Sequence, residues 1–140
     1  MIFLDTSVLI SVAQVNHLFH TRSLKLWSQC SAKAAAMSAH TVAEVFSTLT
    51  AMPPSLRLAP RDAVIAVETF LKRLTPVLLC AEDYMETLHR TANLGHSSGM
   101  IYDALHMACA RKIDAERIYT WNVRHFRMVA PDLADRIVAP

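Results

Sequence analysis

The sequence predicts an α/β protein: a central parallel β-sheet flanked by α-helices in a three-layer arrangement. Three observations predict it. Short apolar runs alternate along the chain with segments whose apolar residues recur at helical spacing. The first of those runs, Ile2, Phe3 and Leu4, is apolar at every position, the pattern of a strand buried on both faces. The helical segments carry start signals of their own, with proline at Pro60 and acidic first turns at Asp62, Glu82 and Asp83.

Ile2 to Leu4 form the first strand, and Thr6 or Ser7 is placed to cap a helix running from Val8 to about Val15. A second helix is expected over Thr21 to Lys33, and Ala34 to Ser38 form a short strand despite three alanines. In the stretch HTVAEVFSTLT, Val42, Val45, Phe46 and Leu49 fall on one helical stripe, which ends before Pro53 and Pro54. Pro60 opens a helix over Arg61 to Arg73, and Pro76 leads into a strand over Val77 to Leu79. A helix from Ala81 to about Leu94, the loop GHSSG and a helix over Ile101 to Ile113 follow. Ile118 to Thr120 then form a strand that reaches a turn at Trp121 and Asn122, and Arg136 to Val138 an edge strand.

The 140 residues suit one domain spanning 1–140, without linker, repeat or low-complexity tract. A hydrophobic share of 53% and a mean hydropathy of +0.25 are high for a small monomer, so part of the surface is expected to be covered by a partner or a second copy. No apolar run approaches the roughly 18 residues of a membrane helix. Asp5 interrupts the N-terminus where a signal peptide would be apolar, so a cytoplasmic location is expected. Cys30, Cys80 and Cys109 are odd in number and widely spaced, which excludes a disulfide framework and predicts buried thiols. With only Gly95 and Gly99, the chain has neither a dinucleotide-binding glycine turn nor a Walker loop. The net charge of +2 permits an anionic partner, and Arg111, Lys112, Arg117, Arg124, His125 and Arg127 concentrate positive charge in the C-terminal third.

Among the twelve acids, most sit in helix first turns or polar surroundings, and three stand apart. Asp5 is the first residue past a buried strand, where an unpaired carboxylate would cost several kcal/mol. Such strand ends are where open α/β sheets bind ligands, and Asn122 is placed similarly after a second strand. Asp103 lies in a helix apolar around most of its circumference, and Glu44 lies opposite an apolar stripe beside His40, Ser47 and Thr48. If the three carboxylates converge, a cation must offset their repulsion, and all-oxygen donors suit Mg²⁺ or Mn²⁺. Ser7 can support Asp5 by hydrogen bonding, or cap the helix.

The stretches DTSVLI, AEVFSTLT, YDALHMACA and IYTWNVRHF, in this order, resemble the PIN domains, and among them the VapC toxins of type II toxin-antitoxin pairs. The resemblance implies a PIN-like fold and Mg²⁺- or Mn²⁺-dependent ribonuclease activity. It implies that Asp5, Glu44 and Asp103 form the catalytic metal site with Ser7 beside it, and that water activated at the ion hydrolyses the RNA. Where relatives carry a further aspartate in a Thr-x-Asp pattern, this chain has Thr120, Trp121 and Asn122, which brings a carbonyl oxygen but no charge and favours a single ion. Arg124, His125 and Arg127 are the candidates to hold the RNA backbone. A cognate antitoxin and a homodimer are the implied protein partners. Three other readings stand beside this one: a mixed site for Zn²⁺ or Fe²⁺ using His40 and His106, an aspartyl-phosphate enzyme built on Asp5, and a catalytically inactive PIN-fold RNA- or partner-binding protein.

Overall fold

Strand β1 (Ile2–Leu4) occupies the middle of a five-stranded sheet in the computed structural model, which describes residues 1–140. The sheet order is β3-β2-β1-β4-β5 and every neighbouring pair is parallel. The remaining strands are β2 (Ala35–Ser38), β3 (Thr75–Val77), β4 (Arg117–Tyr119) and β5 (Ile137–Val138). Helices α1 (Thr6–Ala13), α2 (His20–Ser28), α3 (His40–Ala51), α4 (Pro60–Leu71), α5 (Ala81–Asn93), α6 (Met100–Lys112) and α7 (Val123–Val129) connect them. The chain passes from β1 to β2 and β3 on one side and returns to β4 and β5 on the other. The topological switch point therefore falls between β1 and β4.

Alternation along the strands divides the core in two. Leu4, Ala35 and Met37 face a cluster with Val8, Leu9, Trp27, Val45, Leu49, Val67 and Phe70, supplied by α1 to α4. Phe3, Ala36 and Ile118 face the opposite cluster, with Met107, Ala110, Phe126 and Val129 from α6 and α7. The expected three layers follow from this split. The alanines of β2 are all buried, because small side chains let helices approach a central strand closely.

Several expectations are corrected. Asp5, not Thr6 or Ser7, is the N-cap of α1: its carboxylate accepts from the Ser7 backbone N. Helix α2 stops at Ser28 rather than Lys33, where the Arg73 guanidinium takes up the carbonyls of Ser28 and Cys30. Strand β3 begins at Thr75, since Pro76 is tolerated on an edge strand. The turn expected after β4 is followed by α7, whose short period is buried through Phe126 and Val129 alone. Phe46, assigned to the apolar stripe of α3, is 38% exposed, and Cys80 is exposed while Cys30 and Cys109 are buried. Cys80 serves as N-cap of α5 in a reciprocal capping arrangement with Asp83.

Two predictions follow from this packing. Phe3→Ala empties a fully buried site on the central strand, so denaturant unfolding should show a loss of about 3–5 kcal/mol with an unchanged slope. Arg111 holds Asp132 through two hydrogen bonds of 2.7 Å, and this pairing keeps the Asp132 carboxyl below its ordinary value of 3.8. A carboxyl depressed in the folded state stabilises above its unfolded pKa and loses that contribution as pH falls through its folded pKa. The difference in melting temperature between wild type and Asp132→Asn should accordingly be constant at neutral pH and disappear in acid below the Asp132 titration.

Candidate active site

Where β1 ends, the chain places Asp5 in extended conformation with its backbone N still donating to the Tyr119 carbonyl of β4. The side chain is 3% exposed. Three donors reach one of its oxygens, Oδ2: the Ser7 backbone N at 3.2 Å, Ser7 Oγ at 2.6 Å and Thr120 Oγ1 at 2.9 Å. Charge-assisted hydrogen bonds of this kind offset the burial of the carboxylate. Oδ1 has no protein donor. Ser7 Oγ in turn accepts from the Trp121 backbone N at 3.0 Å, and Thr120 Oγ1 accepts from the Asn122 N at 3.0 Å. The ends of β1 and β4 and the start of α1 are thus laced together through the Asp5 carboxylate.

Asp5, Ser7, Glu44, Asp103 and Asn122 all line one cavity of about 740 Å³. Glu44 comes from the second turn of α3, and Ser47 and Thr48 share the cavity wall, so its polar side faces the cleft rather than outer surface. Its Oε2 accepts from Thr6 Oγ1 at 2.5 Å and meets His106 Nε2 at 2.8 Å, while His40 Nε2 lies 3.6 Å from Oε1. Burial acts to raise the Glu44 pKa, but the His106 hydrogen bond and charge, with the Thr6 hydroxyl and His40, outweigh it and hold the carboxyl low. His106 is 2% exposed and its Nδ1 has no partner. Burial disfavours its charge, yet the Glu44 hydrogen bond and the charges of Asp5, Glu44 and Asp103 raise its pKa. When protonated, this imidazole balances part of the acidic charge.

Asp103, in the first turn of α6, pairs through Oδ2 with His125 Nδ1 of α7 at 2.5 Å. Burial raises its pKa, the His125 charge counters this, and the Asp5 carboxylate raises it further. Asp5 and Asp103 therefore sense one another although 98 residues of sequence separate them (103 − 5). Asn122, Arg124 and His125 are exposed at an adjoining groove. Arg127 points elsewhere: Nε donates to the Ala134 carbonyl at 3.1 Å and Nη2 to the Ile137 carbonyl at 2.9 Å, tying α7 to the C-terminal segment.

The donor chemistry of the cleft suits a hard divalent ion, with three carboxylates and Asn122 among its lining residues. The side chains are nonetheless turned toward neighbouring donors, and no three acidic, imidazole or thiol groups are arranged as a ligand set. The sequence marks Thr6 only as a helix cap, Thr120 only as part of the pattern leading to Asn122, and His106 only as part of a mixed Zn²⁺ or Fe²⁺ site; it assigns none of them a contact to the acids. Thr6 and Thr120 adjoin the two strand ends and were detectable by that placement, whereas the His106 contact to Glu44 spans 62 residues.

A parallel sheet with acids gathered at its switch point defines the class: the chain belongs to the PIN domain family, whose model matches residues 2–130. It is 34% identical to Ribonuclease VapC27 of Mycobacterium tuberculosis over 113 residues, 80% of this chain and 78% of that protein. In structure it is similar to M. tuberculosis VapC20, a sarcin-ricin loop cleaving toxin, with a TM-score of 0.69, 21% identity, and 87% of this chain and 90% of that one covered. It is also similar to VapBC-1 from nontypeable Haemophilus influenzae, with a TM-score of 0.68, 19% identity, and 99% and 98% covered.

Ser7→Ala removes a donor from Asp5 and an acceptor from the Trp121 N at once. Denaturant unfolding should show a loss of about 1–3 kcal/mol; an unchanged midpoint would mean that the lacing at Asp5 contributes nothing.

Proposed function

We propose that this protein is an endoribonuclease, the toxin of a VapBC-type pair, that hydrolyses RNA phosphodiester bonds with Mg²⁺ or Mn²⁺. The observation that carries it is the convergence of Asp5, Glu44 and Asp103, from three remote segments, on one cavity at the sheet's switch point. The similarity to Ribonuclease VapC27 supports the same reading.

Asp5, Asp103 and Glu44 would hold the ion, with the Asn122 carbonyl available as a neutral donor. When bound, the ion supplies a lowered pKa for water and a counter-charge for the phosphate in the transition state. Ser7 and Thr120 fix the orientation of Asp5 by occupying Oδ2, so that Oδ1 is the oxygen left for the ion. His125 meets Asp103 through Oδ2 and His106 meets Glu44 through Oε2, so those histidines keep the acids near the cleft while the second oxygen of each carboxylate would serve the ion. Asp5 and Asp103 are both placed to accept the proton released by an attacking water. Arg124 and His125, exposed beside the cavity, hold the RNA backbone, and Arg127 contributes only the donors it does not give to Ala134 and Ile137.

A cognate antitoxin and a second copy of the chain are the proposed covers for exposed apolar residues such as Val15, Leu18 and Leu78. No helix is long and apolar enough to cross a membrane, and an RNA-cleaving toxin of this kind acts in the cytoplasm.

The test is cleavage of RNA by purified protein with end sequencing of the products. Asp5→Asn and Asp103→Asn should each lower kcat by about 100-fold or more while RNA binding is retained. Chelation should abolish cleavage, and Mg²⁺ or Mn²⁺ should restore it. Restoration by Zn²⁺ instead would favour a site using His40 and His106, and full activity in both variants would refute the proposal.

A further inference from the structure

The acidic cavity is lined by three carboxylates and by no lysine or arginine. Like charges repel, so the phosphates on either side of a scissile one must be held by cations at the rim. Of the fourteen lysines and arginines, four are committed to carboxylates and three to main-chain carbonyls. Two of the others adjoin Trp121, which lines the cavity. Arg124 follows it three residues along the chain, in a groove of about 480 Å³ that shares Trp121 and Asn122 with the cavity. Arg22, exposed on α2, has its guanidinium carbon 5.1 Å from the Trp121 ring centroid.

The indole beneath Arg22 is itself held in place. Its Nε1 donates to Ser11 Oγ at 3.1 Å and Ser23 Oγ at 2.9 Å, two buried hydroxyls, and Phe19 stacks on the same ring with centroids 3.9 Å apart. A guanidinium resting on an aromatic ring engages it through its face and leaves its N–H edges for a phosphate, whose geometry they match bidentately. The chain contains a contrasting case. Arg73 lies 4.8 Å from the Trp27 ring centroid, but its N–H groups are used up on the carbonyls of Ser28 and Cys30, a purely structural arrangement. The N–H groups of Arg22 meet no protein acceptor, so the same stacking presents them at the cavity mouth.

We propose that Arg22, positioned by Trp121, binds an RNA backbone phosphate beside the scissile one, and that Arg22 and Arg124 together lead the strand across Trp121 to the acids. The inference rests on the ribonuclease reading above and adds to it a substrate-binding residue on α2 and the residue that positions it.

The experiment measures equilibrium binding of a cleavable RNA oligonucleotide in chelator, where nothing is cut, over a series of salt concentrations. Arg22→Gln should weaken binding roughly 3- to 30-fold at low salt and lower the slope of log affinity against log salt by about 0.7, the contribution of one phosphate contact. The loss should be the same for RNAs of different sequence, because a phosphate contact carries no base information. Arg22→Lys should keep the slope. Arg117→Gln, at the start of β4 and so at the opposite end of the sheet, removes the same charge and should leave affinity and slope unchanged. Trp121→Leu should weaken binding by itself and no further when combined with Arg22→Gln, while Trp121→Phe retains affinity. With Mg²⁺ added, Arg22→Gln should raise KM and leave kcat unchanged. Failure of the wild type to cut the RNA with either Mg²⁺ or Mn²⁺ overturns the ribonuclease reading. Cleavage by the wild type with an unchanged affinity or slope in Arg22→Gln, or an equal loss in Arg117→Gln, overturns the Arg22 contact alone. Additive losses in Trp121→Leu and Arg22→Gln overturn the role given to Trp121.

Discussion

The Asp5 carboxylate sits at the end of the central strand with three hydrogen bonds converging on one oxygen, and much of the molecule is arranged around keeping it there. Ser7 and Thr120 are the donors, so the carboxylate joins the first turn of α1 to the end of β4. Through Ser7 the same contact reaches Trp121, and through Thr120 it reaches Asn122. Donors oriented in advance by secondary structure offset part of the cost of burying the carboxylate. Capping α1 and lining the cavity are two uses of one side chain.

The electrostatics of the cleft extend this constraint. Glu44 and Asp103 are held by His106 and His125, so each acid brought to the switch point arrives with its own hydrogen-bond donor. Burial is the main cause of the raised Asp103 pKa, and the nearby Asp5 carboxylate adds to it. His106 relieves part of it. His106 meets Glu44 through Nε2, and its Nδ1 has no protein partner. Phe19, His40, Tyr102 and Trp121 line the same cavity, so acids, imidazoles and aromatic rings share it.

Much of this was legible in the amino-acid order. The apolar run Ile2 to Leu4 and the alternation of strands and helices establish a parallel sheet, because strands buried on both faces carry no polar face. Asp5 and Asn122 stand out for the same reason: a polar residue directly after such a strand lies at the rim where ligands bind. Helix α7 escaped notice since seven residues with two buried positions carry too little periodicity to distinguish a helix from a turn. The exposure of Cys80 and Phe46 escaped because residue type gives only a preference for burial, and the neighbours that would cover them come from other segments.

Local pattern by itself determined the sheet, the order of the helices and the placement of the outlying acids, since each depends on periodicity and on what a strand end exposes. Only the tertiary structure decided which groups meet: His106 with Glu44, His125 with Asp103, Thr120 with Asp5, and the Trp121 indole with Ser11 and Ser23. These pairings span from 22 to 115 residues of sequence, counting 125 − 103 for the shortest. They arise where β1 and β4 end and α3 and α6 begin at one rim, and the angle at which packed helices cross a sheet is set by side-chain volume across the whole core, which no single stretch encodes.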